Sequence, residues 1–259
     1  MKSKDVASPL VNVFADAAAL AAAAAERFVV AAEHAIGDHA RFVVALSGGS
    51  TPRRTFELLA REPYASRVNW SCVHVVWGDE RCVPPTDAES NYRLAREALL
   101  DHVPVPPENI HRMHGEDDPE RAAAAYEATL RTLFRTPNGP PPFEPGRNID
   151  LALLGLGDNG HTASIFPGST IVDERTRWVV SELVPAVSMW RITMTAPLLN
   201  ASTEILFLVT GGAKASVLKQ VLEGPRAPHE LPAQLIAPTH GRLQWLLDRA
   251  AAAELETTP

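Results

Sequence analysis

Cysteine is scarce in this 259-residue chain: there are two, Cys72 and Cys82, ten positions apart. That spacing fits no metal knuckle, and two isolated thiols outside any secretory context read as reduced cysteines of a cytoplasmic protein. Basic charge is short as well. Lys and Arg number 24 against 31 Asp and Glu, a formal net charge of -7. Bulk attraction to nucleic acid is therefore excluded, and an anionic ligand needs a local basic pocket. No apolar run is long enough to span a bilayer. The alanine-rich tract 17–25 is too short and is bracketed by Asp16, Glu26 and Arg27. Alanine is the best helix former, so the tract reads as the middle of a helix over about 14–36. Residues 1–10 are mostly polar and lack the apolar core of a signal peptide. They are expected to form a flexible N-terminus to a single domain over 11–256. The nucleotide P-loop pattern GxxxxGK[ST] and the serine-hydrolase elbow GxSxG are both missing, and there is no convincing internal repeat.

What is present is an alternation of short buried runs with helical patterns. Hydrophobic content of 46% is enough for a substantial core. Runs rich in β-branched and aliphatic residues predict strands at 42–46, 73–77, 149–154 and 205–209, with further candidates at 178–180, 191–195 and 234–236. Helical patterns lie at 53–61, 89–100, 119–134, 213–222 and 242–253. This alternation predicts an α/β fold with a mostly parallel sheet flanked by helices. The proline-rich stretch 136–146 interrupts it and is expected to be a surface loop.

Four of the buried runs end in loops with distinctive chemistry. After Leu46 comes Ser47-Gly48-Gly49-Ser50-Thr51-Pro52, and after Trp77 comes Gly78-Asp79-Glu80-Arg81. After Leu154 comes Gly155-Leu156-Gly157-Asp158-Asn159-Gly160-His161, and after Val209 comes Thr210-Gly211-Gly212-Ala213-Lys214. If these strands are parallel, all four loops lie on one rim, where open α/β sheets bind ligands. In the first loop Thr51 is expected to cap a helix with Pro52 in its opening turn, either as an ordinary capped start or as a phosphate cradle. Lys214 in the first turn of a helix opposes the helix dipole unless an anion sits there. Arg81 offers a fixed fork of donors, and Asp79 is able to orient a histidine or accept from a sugar hydroxyl. The spacing Gly155-x-Gly157-x-x-Gly160 imitates a dinucleotide fingerprint, but Pro167 follows too soon for the long helix that motif requires.

Of nine histidines, only His161 sits in a glycine turn after a buried strand, and it is the candidate base. His74 lies within a strand. His111, His114 and Glu116 imitate metal-ligand spacing without a third strong ligand, so no metal is expected.

The motifs SGGSTP, GDERCVP with Ser90-Asn91 after it, LGLGDNGHTASIFPGS and LVTGGAKA stand in the order seen in 6-phosphogluconolactonases. Leu231-Pro232-Ala233 and Trp245-Leu246-Leu247-Asp248 fit as well. From about Phe14 to Ala252 the chain resembles that family. The resemblance implies a modified Rossmann-like fold with a small additional α/β lobe, shared with glucosamine-6-phosphate isomerases. It implies hydrolysis of 6-phospho-D-glucono-1,5-lactone without a cofactor. It also implies His161 as general base, Arg81 and Lys214 as anion contacts, and the loop Ser47, Gly48, Gly49, Ser50, Thr51 lining the sugar-phosphate site. Asp79 and Arg81 join the catalytic group, and Asn91, Gly157, Asn159 and Gly160 join the substrate-binding set. Many family members carry Asp where this chain has Asn159, which hydrogen-bonds without supplying charge. The expected partner is a small phosphorylated sugar lactone, not nucleic acid or membrane, on a monomer or weak homo-oligomer.

A sugar-phosphate isomerase or deaminase on the same fold is the rival reading. The deaminase pattern after the histidine continues to Asn-Glu-Pro-Gly, whereas this chain reads Ile165-Phe166-Pro167-Gly168 and so lacks that carboxylate. A sugar-phosphate sensor and a dinucleotide oxidoreductase are weaker alternatives.

Overall fold

The computed structural model describes residues 10–256. In chain order it forms β1 (Leu10–Phe14), α1 (Ala17–His39), β2 (Phe42–Leu46), α2 (Ser50–Leu59), β3 (Val73–Trp77), β4 (Asp79–Arg81), α3 (Asn91–Ala95), α4 (Pro119–Leu133), β5 (Leu151–Leu154), β6 (Val179–Val184), β7 (Met189–Met194), α5 (Ala196–Asn200), β8 (Glu204–Val209), α6 (Ala215–Glu223) and β9 (Arg242–Asp248). Six strands make one sheet in the order β1-β9-β8-β5-β2-β3, every pairing parallel. The strands β4, β7 and β6 make a second, antiparallel sheet that packs against α4. The expected α/β architecture with a small extra lobe is what the chain adopts. The expected flexible segment 1–10 lies outside the described residues except for Leu10.

Several local expectations are corrected. Residues 242–248 form a strand, not the start of a helix. Alanines 250–253 suggested a helix, but Trp245, Leu246 and Leu247 are all buried, the two-sided burial of a strand inside a parallel sheet. Gln234–Ile236 is not a strand, because Pro232–Leu235 closes a 3-10 turn. The first helix starts at Ala17, with the Asp16 carboxylate accepting from the amides of Ala18 and Ala19, and the alternating residues before it pair as β1. Thr51 does not cap α2. Gly49 does, at φ 107°, a left-handed backbone that favours glycine. Thr51 Oγ1 instead lies 2.8 Å from Thr210 Oγ1, joining the first loop to the fourth. The stretch 89–100 divides into α3 and a π-helical turn, Arg96–Leu100. The proline-rich stretch 136–146 carries no helix or strand.

The chain changes sheets at Gly78. Its amide donates to Leu46 O on β2 (2.9 Å), and its carbonyl accepts from Met194 N on β7 (2.8 Å). The ladder groups of Trp77 that β2 leaves unpaired are met by a side chain. Tyr126 Oη accepts from Trp77 N (2.8 Å) and donates to Trp77 O (3.3 Å). Tyr126→Phe strands both buried groups, so it is expected to cost about 1–3 kcal/mol, read as a lower urea midpoint; an unchanged midpoint contradicts this accounting.

Candidate active site

The four glycine-containing loops meet because β2, β3, β5 and β8 run parallel and end on one rim. They enclose a cleft of about 270 Å³ lined by Ser47, Gly48 and Gly49, by Asp79 and Arg81, by Asn91, by residues from Gly155 to Asp158, and by His161, Ala163 and Lys214. Ser50, Thr51, Asn159 and Gly160 stand behind this lining. Ser47 is buried and its hydroxyl has no partner among the described residues, which leaves a polar atom at the cleft for a ligand.

Asp79 is anchored from two sides. Ser164 Oγ donates to its Oδ2 (2.6 Å), and Asn91 Nδ2 donates to its carbonyl (2.9 Å) and to Oδ1 (3.3 Å). Asn91 is placed by Glu80, whose buried carboxylate accepts from the amides of Arg81, Asn91 and Tyr92 and from Ser90 Oγ. Burial raises the Glu80 pKa, and the three amides oppose that rise. Gly48 is bare because a Cβ there would come within 1.8 Å of Asn91 Oδ1.

His161 is held by its own turn. Gly157 N donates to His161 O (2.8 Å) and Gly160 N donates to Gly157 O (3.0 Å), so two amides of the glycine turn are already occupied. Gly160, at φ 81°, packs on Leu231, and its carbonyl accepts from Ala233 N. The imidazole Nδ1 lies 2.6 Å from Asn159 Oδ1. An amide oxygen only accepts, so Nδ1 carries the proton and Nε2 keeps its lone pair. Asn159, not Asp79, thus orients the ring, while Asp79 acts on it through charge. Burial pushes the His161 pKa down to about 4; Asp79 opposes that, and Lys214 and Arg191 reinforce it. The base is neutral at pH 7.

Three cations face this region. Lys214 follows Gly211 (φ 92°) in a 3-10 turn, and its ammonium pairs with the Asp158 carboxylate, whose pKa is lowered by that contact. Arg81 donates to Glu89 O and leaves its Nε buried and unpartnered. Arg191 pairs with Arg81 across the β4–β7 ladder, so both side chains project from the same face of that sheet. Arg191 is 8% exposed with its Nε unpartnered. Burial, then the neighbouring Arg81 charge, lowers its pKa. The buried Arg191 and the half-buried Arg81 thus stand side by side as like charges on one sheet face, with Glu182 opposite Arg191 on β6.

A family profile described as glucosamine-6-phosphate isomerases/6-phosphogluconolactonase matches residues 15–245. The chain belongs to this family. Among its members, a 6-phosphogluconolactonase of Haemophilus influenzae is 40% identical over 80% of this chain and 85% of its own length. One from Nostoc is 39% identical over 95% and 98%. The solved 6-phosphogluconolactonase of Trypanosoma cruzi superposes with a TM-score of 0.83 at 27% identity, covering 98% of this chain and all of that one.

Sequence reasoning missed Arg191, a buried cation that adjoins the cleft through its pairing with Arg81 and its charge on His161. Nothing in the 191–195 run separated it from an ordinary strand residue, because its neighbour Arg81 is 110 positions away and meets it only through antiparallel pairing. Asp158 was likewise noted without its partner Lys214. The metal-like trio disperses. His111 Nε2 lies 3.3 Å from His74 Nδ1, while His114 faces Asp117 and Glu116 at 3.7 and 3.9 Å.

Proposed function

We propose that this chain hydrolyses 6-phospho-D-glucono-1,5-lactone to 6-phospho-D-gluconate, the second step of the pentose phosphate pathway. The observation that carries the reading is a neutral, Asn159-oriented imidazole sharing one cleft with the cations Arg81 and Lys214. The full-length likeness to lactonases supports the substrate. His161 Nε2 removes a proton from water as its oxygen attacks C1. Charge developing on the carbonyl oxygen meets the Arg81 guanidinium rather than the amides of Gly157 and Gly160, which already donate within the turn. The C1–O5 bond then breaks, and the imidazolium returns its proton to O5. Lys214, Arg191, the Ser47 hydroxyl and the start of α2 hold the phosphate. Phe166 stands where isomerisation would need a carboxylate, so proton shuttling along an opened sugar chain has no carrier there.

Acid release from freshly prepared lactone tests this, with fructose 6-phosphate and glucosamine 6-phosphate as controls. Acceleration over spontaneous hydrolysis with neither control turned over is the expected result; no acceleration refutes it. Lys214→Ala is expected to raise KM about tenfold with kcat nearly unchanged, the loss of one charged contact that Asp158 partly offsets. An unchanged KM removes Lys214 from the phosphate site.

A further inference from the structure

We propose that Phe166 is a positioning residue for the base. Its ring and the bare Cα of Gly157 form the two walls of a slot that fixes the plane of the His161 imidazole and keeps water off it. The inference rests on the reading of His161 as base.

The Phe166 and His161 rings stack with centroids 4.2 Å apart and planes 25° apart. On the other side, a Cβ at Gly157 would fall 2.0 Å from His161 Cε1 and Nδ1, so only glycine leaves room for the ring. That wall cannot yield, because Gly157 is held through its N–H by His161 O and through its carbonyl by Gly160 N. The Phe166 wall is fixed as well. Pro167 follows it, Gly168 N donates to His229 O (2.9 Å), Ser169 N donates to Phe166 O (3.1 Å), and Ser169 Oγ donates to Glu182 on β6. Asn159 closes the Nδ1 edge. Nε2 is left with no hydrogen-bond partner among the described residues, and His161 lines the cleft.

The charges facing the ring do not decide its protonation. Asp79 on β4 and Asp158 on the same turn favour the imidazolium; Lys214 after β8 and Arg191 on β7 oppose it. Two stand against two, and withdrawal from water is the largest influence on the group. A phenyl face by itself attracts a cation, so the lowered basicity means that exclusion of water outweighs that attraction. Phe166 is the large apolar side chain stacked on the ring, and it accounts for that exclusion.

The test follows the His161 imidazole by NMR titration, alongside the pH dependence of kcat/KM, in the wild type and in Phe166→Ala, Phe166→Leu and Phe166→Tyr. Phe166→Ala is expected to move the His161 titration up by one pH unit or more, toward 6.5. It is also expected to lower kcat/KM at pH 5 at least twofold relative to its value at pH 8, and more as the titration nears 6.5, with KM at pH 8 unchanged. Phe166→Leu falls between, and Phe166→Tyr, which keeps the flat ring, restores the wild-type titration. If the alanine variant does not fold, the leucine and tyrosine pair carries the same comparison. A His161 titration that stays at its wild-type position in both aliphatic variants overturns the proposal. A titration that moves while the acid limb of kcat/KM stays put leaves the slot standing and sinks His161 as the base.

Discussion

Replacing His161 by glutamine is expected to lower kcat about a hundredfold or more while leaving KM close to its wild-type value, the size typical for loss of a positioned general base. Glutamine keeps a polar side chain of similar length beside Asn159 but takes no proton. The ring touches the reacting water rather than the phosphate, so ground-state binding is spared. The pH profile gives a second reading of the same variant. Burial depresses the His161 pKa to about 4, so the base is unprotonated across the neutral range. Wild-type kcat/KM is therefore level from about pH 8 to 6 and falls as pH drops toward 4. The residual activity of His161→Gln loses that acid limb. A variant that retains both kcat and limb excludes His161 from proton transfer.

Arg191→Met is expected to raise KM ten- to a hundredfold, the worth of the charged hydrogen bonds a buried guanidinium offers to phosphate or carboxylate oxygens, about 1.5–3 kcal/mol. Its effect on the free protein should have the opposite sign. Arg191 is buried beside a second arginine, and its Nε has no hydrogen-bond partner among the described residues to offset the cost of desolvation; methionine of similar volume relieves that cost. The ligand-free variant is thus expected to melt at or above the wild-type temperature, while the rise in Tm on adding 6-phosphogluconate shrinks or vanishes. An unchanged KM would make Arg191 a structural residue. A lower Tm together with a raised KM would mean that the fold, not the ligand, needed the charge.

The parts of this site legible in the sequence share one property: each follows a continuous apolar strand and contains glycine. SGGST, GLGDNGH and TGGAK stand out because bare backbone is rare beside a buried run, and parallel pairing brings them together. What was not legible depends on distant pairing. Arg191 acquires its meaning from standing opposite Arg81, and β9 is a strand because β1 and β8 flank it, although its own residues suit a helix. Two short-range roles changed hands for local reasons. Asp79 was a reasonable partner for the histidine until Ser164 and Asn91 claimed its oxygens, and Asn159 is near enough in the turn to take the ring nitrogen. Thr51 lost its capping role because Gly49 reaches the left-handed conformation that starts α2 two residues earlier.

The last strand of the chain sits inside the sheet, between β1 and β8, and Asp248 at its end accepts from Gly211 N at 3.0 and 3.1 Å. Gly211 opens the turn that presents Lys214. During synthesis β8 and its lysine emerge well before β9 does, and until β9 is inserted that turn lacks its anchor. Domains generally fold as units, so the sheet and the turn that presents Lys214 are completed together, once β9 has left the ribosome. Competence for substrate arrives late and all at once, with the docking of a single strand.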